Sequence, residues 1–343
     1  VQLHVATEQF WLGTMPSVRM ALMLIMTGGA ALWLLCRNAS VQRRGQLVAV
    51  AAAGVICVAV TVQAVSVLFS PTGLAAGIIL LAACSAAGLV LAVTVPRSRR
   101  LLADLSCIIL AVGVPPTMLL IPDRLPNAWI SYGAMFGTRL YGIGNEMAGA
   151  WLGATVLAVA PLLRPPLHRA AFGVLTLCAF LAALPEWGAN LGAGIAFAIA
   201  AAHVAAQQGS PRWRALKGFA TALILIGSIA LALRALDRGS GASHLGRALA
   251  LQQPLMQIVL RKLMLNVSTI LHSTWTVTVL AGLLCGELIR RKSGAPFGSE
   301  VFALLWVAAA AILVFNDTGI VAAGLCLATA VSALTLRRKA SPP

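Results

Sequence analysis

Residues 137–149 read GTRLYGIGNEMAG, and here an arginine, a tyrosine, an asparagine and a glutamate enter an otherwise apolar segment through a run of glycines. Arg139 offers a rigid fork of N–H donors suited to phosphate or carboxylate, and Glu146 a carboxylate that can take up or release a proton. Tyr141 and Asn145 are candidate substrate contacts beside them. Gly142 and Gly144 permit an irregular backbone, which at membrane depth is tolerated only where protein or water covers it. A purely structural reading competes: Arg139 and Glu146 lie seven residues apart and pair along one helical face. Gly149 and Gly153 form a small-xxx-small face for which helix packing is a sufficient reason.

Four further clusters carry chemistry. Pro185-Glu-Trp-Gly-Ala-Asn190 is a short hairpin with two readings: Glu186 and Asn190, four residues apart, face one pocket, or Glu186 sits on a solvated turn. Asn316-Asp-Thr-Gly319 separates two apolar runs, either as a tight turn or as the break in a discontinuous helix of the kind that builds transporter sites. The Ser243-His-Leu-Gly-Arg247 stretch supplies His244 and Arg247. The segment 254–272 reads as an amphipathic helix, with Leu260, Met264, Val267, Ile270 and Leu271 on one side and Arg261, Lys262, Asn266, Ser268 and His272 on the other. Asn266-Val-Ser and Asn316-Asp-Thr match the glycosylation pattern, but both are placed at the membrane surface and are discounted. No HExxH, Walker loop or GxSxG is present, and Gly142-Ile-Gly144 follows no strand, so neither a metal nor another cofactor is expected. The seven cysteines fall in or beside apolar runs without a CxxC pair and read as packing residues.

The elements that position these residues are transmembrane helices. The 343 residues are 60% hydrophobic and 10% charged, against about 25% charged in a soluble domain. Apolar runs long enough to span the bilayer occupy 19–36, 47–69, 73–95, 101–121, 141–163, 168–184, 188–206, 216–236, 273–289, 300–315 and 318–336. The expected fold is all-α: a polytopic helical membrane protein of about eleven crossings plus one extracytoplasmic interfacial helix. It is read as a single transmembrane domain, 19–336, in which 237–272 is an outer loop, with an N-terminal tail 1–18 and a basic tail 337–343.

Orientation follows from charge. Arg37, Arg43 and Arg44, then Arg97, Arg99 and Arg100, then Arg164 and Arg169, then Arg212, Arg214 and Lys217, then Arg290, Arg291 and Lys292, then Arg337, Arg338 and Lys339 occupy alternate connections and the tail. By the positive-inside rule these ends are cytoplasmic, and the N-terminus lies outside. The net charge of +16 is thereby a topology signal rather than a nucleic-acid footprint. The first apolar run lacks the flanks of a signal peptide, and an outward terminus fits a chain whose upstream part was translocated. The chemistry-bearing clusters then all fall on the outer side. Arg238, Arg247, Arg261 and Lys262 run against the charge rule there, which suggests an anionic ligand.

With these residues assembled, the chain resembles a family of uncharacterised polytopic bacterial membrane proteins. The shared motifs are Arg139-Leu-Tyr-Gly-Ile-Gly-Asn-Glu146, Gly188-Ala-Asn-Leu-Gly192, Ser243-His-Leu-Gly-Arg247, Arg261-Lys-Leu-Met-Leu-Asn266 and Asn316-Asp-Thr-Gly-Ile-Val321. Some members of that family place such a region after an extracytoplasmic alkaline-phosphatase-like domain, which this chain lacks. The resemblance implies a bacterial cell membrane and an envelope-related role, without an established reaction.

The first functional reading is an envelope enzyme, a glycosyl- or phosphoryl-group transferase acting at the outer leaflet on a phosphate-bearing or lipid-linked glycan. In it Glu146 or Asp317 is the general base, aided by His244 or His272. Arg139, Arg247, Arg261 and Lys262 hold phosphate, and Tyr141, Asn145, Glu186, Asn190, Asn266 and Asn316 complete the substrate contacts. Two readings stand beside it: a transporter or flippase for an anionic solute or lipid, and a non-catalytic anchor for a translocated partner domain. The expected partners are membrane lipids and the anionic or lipid-linked substrate, with no nucleic acid.

Overall fold

The computed structural model describes residues 96–120, 142–208, 210–236, 260, 264, 266–268, 270, 271, 275–292, 299–316 and 319–337. These residues are almost wholly helical and contain no strand, in accord with the all-α expectation. The helices are α1 (Pro96–Leu120), α2 (Asn145–Ala158), α3 (His168–Ala183), α4 (Leu191–Ala206), α5 (Arg214–Leu236), α6 (Trp275–Lys292), α7 (Ser299–Phe315) and α8 (Gly319–Arg337). The expected crossings 19–36, 47–69 and 73–95 and both chain ends lie outside the described residues.

Among the described residues three stretches are long and apolar enough to cross a membrane: Ala103–Leu120, Pro211–Leu236 and Gly319–Arg337. The helices α3, α4 and α7 are apolar but shorter. Burial separates their roles, since 17% of the apolar window is buried in Pro211–Leu236 and 89% in α8. The first turns Leu216, Phe219, Leu223, Ile224 and Leu231 outward, as a helix facing lipid does; the second is the centre of the bundle.

The centre is built on close approach. Gly149 and Gly153 of α2 face the backbone of Ala322 and Cys326 on α8, and a Cβ on either glycine would run into the facing carbonyl. The shared spacing of four along both chains means that α2 and α8 run in the same direction with small residues at the seam. Cys107, Cys178 and Cys326 are buried in this core, where their expected packing role places them.

Beside the seam, Pro115 and Pro116 lie inside α1. Pro115 has no N–H to donate to the carbonyl four residues back, that of Ala111. The indole Nε1–H of the fully buried Trp151 donates to that carbonyl instead, at 3.1 Å.

The helix expected over 141–163 is shorter than its apolar run. It starts at Asn145, because Gly142 has φ +83° and Gly144 is extended, and it stops at Ala158, followed by a 3-10 turn through Pro161. Hydropathy does not register either interruption. Arg139, the other member of the alternative ion pair with Glu146, lies outside the described residues.

Helix ends carrying basic residues gather at one end of the bundle. Arg337, at the close of α8, pairs with Asp104 near the start of α1 at 2.6 Å and donates to the Leu157 carbonyl at the close of α2 at 3.3 Å. Lys217 of α5 donates to the Gln208 carbonyl just beyond α4 at 2.9 Å. A cavity joins His168 at the start of α3, His203 and Gln207 at the close of α4, and Glu300 at the start of α7. The starts of α1, α3, α5 and α7 and the ends of α2, α4 and α8 therefore share this basic end. The connection 184–190 and Asn316 lie at the other.

Candidate functional site

At the opposite end, chain segments that are far apart in sequence are tied together by asparagines and glycines. The entry to α2 comes first. The Ile143 N–H donates to the Gly188 carbonyl at 2.7 Å, and a Cβ on Gly142 would run into that same carbonyl, so only glycine fits there. Gly188 belongs to the hairpin between α3 and α4. That hairpin is closed by the N–H groups of Gly188 and Asn190, which donate to the carbonyls of Leu181 and Ala182 at 3.0 and 2.8 Å, and it carries Ala189 at φ +48°.

Asn190 is the hub. Its Oδ1 accepts the Ala193 N–H at 3.1 Å and so caps α4, while its Nδ2 donates to the Ile143 carbonyl at 3.3 Å and to Asn145 Oδ1 at 3.1 Å. Rotating the amide by 180° would set its NH2 against a backbone N–H and its oxygen against two acceptors, so the network fixes the assignment. The side chain is completely buried.

A second knot adjoins the first. Gly192 lies against the Phe315 carbonyl and Asn316 Cα, where a Cβ would come to 2.5 and 2.8 Å. Asn266 donates through Nδ2 to the carbonyls of Leu313 and Val314, both at 3.2 Å, at the open C-terminal end of α7. Its Oδ1 receives the Gly319 N–H at the start of α8 at a long 3.4 Å. Gly319 itself touches the Leu313 backbone so closely that no side chain fits. Because Glu300 and Arg337 both lie at the basic end, α8 turns back along α7. This reversal between Asn316 and Gly319 does not fit a single helix broken at that point; Asp317 and Thr318 themselves lie outside the described residues.

Asn145, Glu146, Asn190, Asn266 and Asn316 are thus brought to one end of the bundle, and four of the expected motifs are represented there. Glu146 is the second residue of α2 and is buried, its carboxylate at a helix N-terminus, where backbone N–H groups favour negative charge. Its place is the first turn rather than one turn inside a longer helix. Glu186 is exposed on the hairpin while Asn190 is buried, so the two do not share a pocket. The spacing of four would have aligned them on a helix, but 185–188 is a turn.

Helical geometry is found at Leu260, Met264, Asn266, Val267, Ser268, Ile270 and Leu271, within the helix expected over 254–272. Leu260, Met264, Val267 and Leu271 are exposed, whereas Asn266 is buried against α7. An apolar face turned outward with a polar group turned inward suits lipid surroundings. Burial also removes Asn266 and Asn316 as glycosylation acceptors.

Arg139, Tyr141, His244, Arg247, Arg261, Lys262, His272 and Asp317 lie outside the described residues. Among the described residues no three His, Cys, Asp or Glu side chains come together as metal ligands. Two features escaped the sequence reading. The partnership of Gly142 with Gly188 and of Gly192 with Asn316 leaves no local signal. The cavity at the basic end had one in the spacing of His203 and Gln207.

Fold and site together define an all-α protein with helices fit to cross a membrane, carrying a buried polar knot at the end opposite Arg337 and Lys217. No family model, no curated protein and no solved structure matches the chain.

Proposed function

We propose that this chain is a multi-pass cell-envelope enzyme whose reaction takes place at the end built by residues 142–146, 188–192, 266, 316 and 319, facing the outer leaflet of a bacterial inner membrane. The observation that carries the reading is a carboxylate, Glu146, buried at a helix N-terminus beside a rigid network of asparagine amides. A carboxylate held in such surroundings and aligned by fixed dipoles is suited to general acid–base work. In this reading Glu146 is the general base. The cations Arg139, Arg247, Arg261 and Lys262, which sequence assigns to the same side, bind the phosphate of a phosphorylated or lipid-linked glycan. Asn190 and Asn266 act as positioning residues, since their amides are committed to backbone and to Asn145. The motif resemblance to bacterial envelope membrane proteins supports the setting.

The test is transfer or hydrolysis of polyprenyl-linked glycan in vesicles by wild type and Glu146→Gln. The substitution keeps size and hydrogen bonding but removes the base. Turnover should fall by at least about a hundredfold, the usual scale for loss of acid–base catalysis, with expression retained. Unchanged turnover in Glu146→Gln would reject the assignment.

One observation favours transport as the second reading. Polar groups also line a cavity at the basic end, as a carrier accessible from both sides needs. The glycine seam of α2 and α8, packed backbone to backbone between the two ends, weighs against it.

A further inference from the structure

We propose that the cavity at the basic end is a binding site for a phospholipid whose headgroup carries a primary ammonium. The cavity has a volume of about 350 Å³ and is separate from the asparagine knot. Its polar wall is Glu300, His168, His203, Gln207 and Gln208, and its apolar wall includes Leu163, Val204 and Leu304.

The polar wall is rich in acceptors. Among the described residues no cation pairs with Glu300, whereas two other carboxylates do have such partners: Asp104 binds Arg337, and Glu287 binds Arg290 and Arg291. Gln207 Nε2 lies 3.1 Å from His203 Nε2. An amide NH2 can only donate, so the ring nitrogen accepts, and the Gln207 oxygen is left as a further acceptor. A primary ammonium has three N–H groups to give to such a wall and a charge to match the carboxylate. A quaternary ammonium has no N–H at all.

Two features choose a lipid over a soluble amine. Arg164 and Arg169 flank the lining residues Pro165 and His168 in the chain, so a phosphate a few bonds from the ammonium finds cations at hand. The apolar wall, continued by the exposed Leu167, offers a surface for acyl chains.

The full chain in mild detergent would be titrated, under native mass spectrometry, with phosphatidylethanolamine, phosphatidylcholine and phosphatidylglycerol of identical chains, and separately with spermidine. Wild type should retain the ethanolamine lipid about tenfold better than the other two, a preference of roughly 1.4 kcal/mol. Glu300→Gln, on an exposed position, and His168→Ala should each reduce it to the choline level with the thermal midpoint unchanged. Equal retention of all three lipids, preference for the glycerol lipid, or indifference to both substitutions would overturn the proposal. Spermidine binding without lipid preference would overturn the lipid assignment in favour of a soluble amine.

Discussion

Asn190 gives the sharpest prediction, because its two ends do separable work. Its oxygen caps α4, and its NH2 group holds the α2 entry through Ile143 and Asn145. Asn190→Ala loses both. The cap is worth about 1 kcal/mol, and losing the donated bonds to the Ile143 carbonyl and the half-buried Asn145 oxygen costs about 0.5–1.5 kcal/mol each, so the whole change should cost roughly 2–4 kcal/mol. Asn190→Asp separates the contributions. It keeps an oxygen for the Ala193 N–H, and its charge suits a helix N-terminus, but its second oxygen faces the Ile143 carbonyl and Asn145 Oδ1, two acceptors. If the clamp is the larger part, Asp should destabilise about as much as Ala. The measurement is reversible unfolding in mixed micelles on titration with sodium dodecyl sulfate, followed by loss of helicity. Refutation would be Asn190→Asp matching wild type while Asn190→Ala loses only about 1 kcal/mol, the value of the cap alone.

The remaining predictions concern the core. Gly149→Ala places a Cβ against the Ala322 backbone and must push α2 from α8, costing about 1–3 kcal/mol, whereas Gly173→Ala on α3 meets nothing within 4 Å and should stabilise by about 0.5–1 kcal/mol. Thermal midpoints of the two variants should therefore move in opposite directions. Trp151→Phe should cost about 1–3 kcal/mol by leaving the Ala111 carbonyl without its donor. Adding Pro115→Ala restores an N–H for that carbonyl, so a double-mutant cycle should show the Trp151 contribution shrinking; strict additivity would refute the link.

Much of this was legible in the sequence, for a physical reason. Glycines and asparagines inside apolar runs are costly in a membrane, so they mark places where backbone is bent and bonded, and 142–146, 188–192, Asn316 and Gly319 are such places. Their pairing was not legible, because Gly142 meets Gly188 and Gly192 meets Asn316 only once α2, α4 and α7 are packed. Of the two readings of the 185–190 hairpin, a solvated turn for Glu186 agrees with its exposure, and the shared pocket with Asn190, which rested on helical spacing, does not. Hydropathy misled where a polar atom had a protein partner in place of water. Asn266 was placed on the wet face of an amphipathic helix, yet its amide closes the carbonyl end of α7. The length of α2 was overestimated because Gly142, Gly144 and Pro161 act on backbone and leave hydropathy unchanged.

The central claim is that the asparagine knot faces outward and the basic end inward. Glu186 is exposed at the first and Arg212 at the second. Glu186→Cys and Arg212→Cys, each placed in a cysteine-free background, would be exposed in intact cells to a maleimide that does not cross membranes, with permeabilised cells as the control. The account predicts labelling of Glu186→Cys before permeabilisation and of Arg212→Cys only after it. The reverse pattern would place the knot in the cytoplasm and contradict an outer-leaflet enzyme.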